Sequence, residues 1–146
     1  AIADFKETVY EFNKNANTVN NMAKSLENVN MAISAKLDHI IFKSNIYSSI
    51  FHSQPKENLS SPFESKFGNW YTVEAKKIFS NSPLYAEIGR CQQKVYEYAK
   101  ANYSYITPAD TVVQNKNKVV ENFEHLEEES EKLFVLIDKM LEEKQI

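Results

Sequence analysis

His39 is the residue in this chain best placed to do chemistry. It lies in the apolar run Leu37-Asp38-His39-Ile40-Ile41-Phe42-Lys43. A helix would carry an imidazole here into a dry interior, where it either ligates a metal or exchanges one donor and one acceptor hydrogen bond. Cys91 is the one thiol in the chain. It reads first as a small buried apolar residue rather than a nucleophile. His125 stands among Glu124, Glu127, Glu128 and Glu129. Such a cluster can collect an adventitious metal, but it reads first as the solvated acidic face of a helix. Tyr71, Tyr85, Tyr96, Tyr98, Tyr103 and Tyr105 crowd the middle of the chain. In a helical domain they are core and interface anchors, with an aromatic-lined pocket as the alternative. Gly-rich phosphate loops, a nucleophile elbow and paired carboxylates are all missing, so nothing carries an enzyme reading.

Four helices are needed to position these groups. Ser61-Pro62-Phe63-Glu64, Ser82-Pro83 and Thr107-Pro108 each place a hydroxyl residue before a proline. That pattern predicts three helix starts with the proline at the first helical position. Glu64 would complete a capping box in the first of them. The expected helices are therefore about 2–51, 62–79, 83–103 and 108–143. His52 to Ser60 reads as a polar loop.

Within the first helix Phe5, Val9, Phe12, Ala16, Val19, Ala23, Leu26, Asn30, Ile33, Leu37 and Ile40 alternate in steps of four and three. This is a heptad seam with one polar member, Asn30, able to set register at some cost in stability. From Ala32 a second stripe joins it, made of Ala32, Ala35, His39, Phe42, Ile46 and Ile50. Two stripes imply burial on two sides, so the helix leaves a coiled coil and enters a bundle. The last helix has its own seam of Val112, Val119, Phe123, Leu126, Ser130, Leu133, Ile137 and Met140. The fold expected is all-α, a four-helix bundle whose long first and fourth helices form a coiled-coil extension. The organisation is a coiled-coil stem at 1–34, a helical bundle at 35–106, and a long C-terminal helix at 107–146 packing back on both. A homodimer through the seam is expected, and an antiparallel pairing of the two seams within one chain is the alternative.

Composition agrees with this. The chain has 146 residues, 42% of them hydrophobic and 12% aromatic, enough for one domain with a real core. Two Gly and four Pro are few for an all-β chain. The net charge of -3 gives no reason to expect nucleic acid. No apolar run approaches the roughly 20 residues of a membrane span. A single Cys cannot form an internal disulfide and fits a reducing compartment. The opening residues do not read as a signal peptide, since Asp4, Lys6 and Glu7 interrupt any apolar region. The chain starts in mid-pattern without an initiator Met, and a piece of a larger protein is the expectation.

The helical His39, followed by Gly68-Asn69-Trp70-Tyr71 and then by Val95 and Ala99, resembles the chemoreceptor zinc-binding (CZB) domain of bacterial methyl-accepting chemotaxis proteins. The likeness spans roughly Leu37 to Ala99. In that family a helical His, a Cys-x-x-Gly-x-Trp motif and a His-x-x-x-His pair supply a tetrahedral zinc site. Here His39 matches the first ligand, with Phe42 beside it, and Gly68 and Trp70 match the second motif. The remaining ligand positions hold Ser65, Gln92 and Tyr96. Hydroxyl, amide and phenol are poor zinc ligands near neutral pH. The resemblance thus implies a cytoplasmic sensory or regulatory domain of a receptor protein that has lost most of its zinc ligands. His39, Ser65, Gln92 and Tyr96 would then form a vestigial pocket joined by neutral hydrogen bonds, supported by Phe42, Gly68, Trp70 and Cys91. Cys91 beside Gln92 would replace the missing thiolate only by rotating about 100° around the helix. A metal-free dimerisation module and a sensor for another small ligand or metal are the alternatives. No cofactor is expected, and His39 is the one metal ligand retained.

Elemental analysis of protein purified without added metal or chelator is expected to find no stoichiometric zinc. One zinc per chain, lost on His39→Ala, would contradict this reading of the replaced ligands.

Overall fold

The computed structural model describes residues 1–144, and all its regular structure is helical. Helix α1 spans Ile2–Phe51. Helix α2 (Lys66–Trp70) runs through a π-helical stretch, Tyr71–Ala75, into α3 (Lys76–Phe79), so residues 66–79 form one continuous rod. Helix α4 is Pro83–Tyr103 and α5 is Lys116–Lys144. Four rods thus make an all-α bundle. No helix among the described residues is long and apolar enough to cross a membrane. Gln145 and Ile146, the end of the expected C-terminal segment, lie outside the described residues.

One of the three expected proline starts holds. Ser82 caps α4, its Oγ accepting from the Leu84 amide at 3.2 Å, with Pro83 in the first turn. The other two helices begin later than the sequence suggests. Helix α2 is capped by Ser65, which accepts from the Gly68 amide at 3.0 Å, not by Ser61 with Glu64. Tertiary contacts hold residues 61–64 out of helix: the Pro62 carbonyl accepts from Gln92 Nε2 at 3.0 Å, and the Phe63 ring stacks on Tyr71. Helix α5 starts at Lys116 rather than Pro108. The segment before it is held as a turn, with the Thr111 amide and hydroxyl both donating to the Tyr105 carbonyl.

Gly68 allows the Ser61–Glu64 turn to lie directly against α2. A Cβ there would press into the Phe63 backbone, 2.7 Å from its carbonyl oxygen. The π-helical stretch is fastened to α4 by a reciprocal pair. The Tyr71 phenol donates to the Tyr85 carbonyl at 2.8 Å, and the Tyr85 phenol donates to the Tyr71 carbonyl at 2.9 Å. Their rings stack at 4.3 Å.

Helix α5 runs antiparallel to α1. Lys36 pairs with Asp138, Lys43 Nζ lies 2.8 Å from Glu127, and Ile50 packs with Val119. Met140 and Leu141 belong to the same buried cluster as Met31 and Ala32. Among the described residues, one further helical turn of α5 follows, about 6 Å of rise. Among the described residues, the part of α1 beyond the reach of that turn is not paired with α5, and residues 1–24 are all exposed. The seam of α5 is spent inside the bundle: Val119, Leu126, Ser130, Leu133, Ile137 and Met140 are all buried. The second stripe of α1 faces it, with Ala32, Ala35, His39, Phe42, Ile46 and Ile50 buried as expected.

Gly68→Ala is expected to destabilise the fold by about 1–3 kcal/mol in urea unfolding. Backbone on the far side of the contact cannot swing away as a side chain would. A neutral or stabilising effect, as helix propensity alone would give, would contradict the close approach.

Candidate functional site

The second stripe of α1 carries His39 into the bundle, where it is fully buried. Phe67 and Phe134 close on it with ring centroids at 5.5 Å, and Phe42 lies at 6.2 Å. Two ion pairs bracket it, one turn to either side on α1: Lys36–Asp138 and Lys43–Glu127. Tyr47 adds a bond from its phenol to Glu127 at 3.0 Å. These contacts fix the register of α1 on α5 and thereby the height of the imidazole.

The partner of His39 comes from α5, not from the residues that the spacing suggested. Its Nε2 lies 2.9 Å from Ser130 Oγ. Ser65 is committed to capping α2. Gln92 gives its amide NH2 to Pro62. Tyr96 is buried and stacks face to face on Phe42 at 4.7 Å. The expected bonds from His39 to Ser65, Gln92 or Tyr96 are therefore replaced by a single bond to a serine of the fourth rod. In the sequence Ser130 is the one polar member of the α5 seam, and that is the signal that could have marked it.

His39, Ser65 and Gln92 nonetheless line one cavity of about 280 Å³, with Asp38, Phe42, Asn45, Glu57, Lys66 and Phe67. Two polar atoms among these residues are buried without a partner: His39 Nδ1 and Gln92 Oε1. Leaving such an atom unpaired costs about 1–3 kcal/mol. Tyr96 is one layer away behind Phe42, its phenol pKa raised by burial and opposed by the Ser65 hydroxyl. Trp70 packs on Phe67 at 5.5 Å and acts on the cavity only through that ring.

Cys91 does not belong to this site. It is buried with Ile88, Leu133 and Ile137, on the side of α4 facing Glu129 and Lys132. Burial, then the neighbouring Glu129, push its thiol up to about 11, so it stays protonated. It cannot stand in for a thiolate beside His39. His125 is on the outside of α5, between Glu121 at 3.8 Å and Glu128 at 3.5 Å, with Tyr98 stacked on it. No group of three or more His, Cys, Asp or Glu is arranged to hold a metal among the described residues. The zinc implied by the resemblance does not fit the donors present. Ser65 spends its oxygen on a helix cap, and burial holds the Tyr96 phenol protonated.

Burial, and then the Lys43 cation, depress the His39 pKa from 6.5 to about 4, against a small opposing pull from Glu127. The imidazole is neutral at physiological pH. No protein-family model matches the chain, and no curated protein or solved structure matches it either.

Between pH 6.5 and 4 the unfolded chain takes up a proton on His39 that the folded chain refuses. Stability is thus intact above pH 6.5 and falls with acidification, by about 3 kcal/mol at most from this residue. Urea unfolding at pH 7 and pH 4.5 is expected to show a smaller loss for His39→Gln than for the wild type. An equal loss in both would place the acid sensitivity elsewhere.

Proposed function

We propose that this chain is a regulatory domain of a signalling protein, joined to the rest of that protein and to a second copy of itself by a coiled-coil stem. The observation that carries the reading is the exposure of the α1 seam. Every residue from 1 to 24 is exposed. So is every seam position, from Phe5 and Val9 through Val19, Leu26 and Asn30 to Ile33, Leu37 and Ile40. The bare part of α1 carries Asn13, Asn15, Asn17, Asn20 and Asn21, so intrinsic propensity does little to hold it as a lone helix, and a sustained heptad stripe is the pattern that a second helix covers. The α5 seam is already consumed inside the bundle, so it does not supply that helix.

The reading is that of a bacterial chemoreceptor domain resembling the CZB family, working in the cytoplasm as a homodimer without resident zinc. The spacing of His39, Gly68, Trp70, Val95 and Ala99 supports it, together with the stem entering the bundle at the buried His39. A plain dimerisation module shares the exposed seam. The sensory role is favoured by the two unpartnered polar atoms at the His39 cavity, because a bundle built only for cohesion gains nothing from them. A change in the cavity would reach the stem directly, since His39 and Ile40 are consecutive on α1 and face the two different sides.

Sedimentation at tens of micromolar is expected to show a dimer. Val19→Glu with Leu26→Glu should weaken it by more than about a hundredfold, since each buried side chain is worth roughly 1.5–3 kcal/mol. A wild-type monomer, or a dimer indifferent to both substitutions, would contradict the reading.

A further inference from the structure

The cavity beside His39 has a definite hydrogen-bonding character. Gln92 can serve the Pro62 carbonyl only with its NH2, which leaves Oε1 as a buried acceptor. The tautomer of His39 follows from Ser130. That hydroxyl is buried, and its one hydrogen-bond partner among the described residues is His39 Nε2. If Nε2 carried the proton, the serine hydrogen would be stranded and Nδ1 would be a second orphan. If the serine donates, Nε2 is satisfied and the ring proton sits on Nδ1. The second arrangement leaves fewer buried groups unpaired. Two residues that line the cavity thus carry an unpaired N–H donor, on His39, and an unpaired C=O acceptor, on Gln92. Their side chains are 0 % and 1 % exposed, so a ligand reaches these atoms as the two side chains turn toward the cavity.

We propose that this cavity binds a small uncharged molecule carrying both a carbonyl and an N–H group, of the carboxamide, urea or lactam class. Its carbonyl accepts from His39 Nδ1 and its N–H donates to Gln92 Oε1. Size limits it to a few heavy atoms, since about 280 Å³ lies at the lower edge of ligand cavities. Charge disfavours an anion, because Asp38 and Glu57 line the cavity against the single cation Lys66. The rings of Phe42 and Phe67 supply the apolar walls. This proposal rests on the sensory reading above and names the class of its ligand.

The test is NMR titration of the full chain with 2-pyrrolidone and with N-methyl-2-pyrrolidone, a probe of nearly the same shape that lacks the N–H. Acetate serves as the anionic probe. The expected result is a saturable shift of the Gln92 side-chain amide and of the His39 ring nitrogens with 2-pyrrolidone. Binding should be at least tenfold weaker for the N-methyl probe, absent for acetate, and lost in Gln92→Leu. Equal binding of the two lactams would overturn the proposal, because it would show an apolar hole without the stated polarity. So would the absence of any saturable shift, leaving water as the occupant. Should Gln92→Leu not fold, the comparison of probes on the wild type still decides. Sedimentation of the same samples separates the two claims. A stable dimer that ignores 2-pyrrolidone defeats the ligand assignment alone, whereas a monomer that binds it defeats the stem.

Discussion

The structure depends on α1 being buried on one face and bare on the other along a single unbroken helix. The stripe from Ala32 to Ile50 closes the bundle, since its residues share buried clusters with α2, α4 and α5. The seam from Phe5 to Ile40 makes no contribution to that core and is exposed throughout. Between residues 32 and 40 both stripes occupy the same turns. A rigid helix that serves two interfaces in the same turns ties them together mechanically. Any shift or rotation of α1 in the bundle must appear in the seam, since packed cores do not deform continuously.

His39 lies within that shared stretch, and its burial dictates its neighbours. A neutral imidazole in an aromatic box needs a partner on at least one nitrogen, and Ser130 supplies it from α5. The charges nearby are kept at the periphery and paired, Lys36 with Asp138 and Lys43 with Glu127. Partly exposed pairs of this kind contribute little to stability, about 0–1 kcal/mol each. Their value here is positional: they hold α1 and α5 in the register that brings Ser130 to His39. The same arrangement leaves Nδ1 facing the problem that Gln92 Oε1 also faces, which is a buried polar atom with no protein partner.

The helices were legible in the sequence because periodicity reports burial, and burial is what the bundle is made of. Both stripes of α1 and the α5 seam lie on the faces that their spacing assigns. The start of α4 was legible because the Ser82 cap is local chemistry. The starts of α2 and α5 were not, because long-range contacts decide them. A bond from Gln92 to Pro62 and one carbonyl at Tyr105 outweigh two good capping sequences. The His39 partner was illegible for the same reason. Helical spacing orders residues along one rod, whereas the choice between Gln92 and Ser130 depends on how far two rods slide and turn against each other. The π-helical stretch at Tyr71–Ala75 left no signal in the sequence at all, since its wider turn is stabilised by the Tyr71–Tyr85 pair across to α4.

The central claim is that the bare face of α1 is covered in solution by another copy of the same helix. Amide hydrogen exchange across residues 6–30 measures this directly, because an uncovered helix this rich in Asn has few buried contacts to hold it and opens locally. The account predicts protection through Val9, Val19 and Leu26 at high protein concentration, lost on dilution while α4 and α5 stay protected. Exchange in 6–30 at the rate of an unfolded peptide, at every concentration and with the bundle intact, would contradict it.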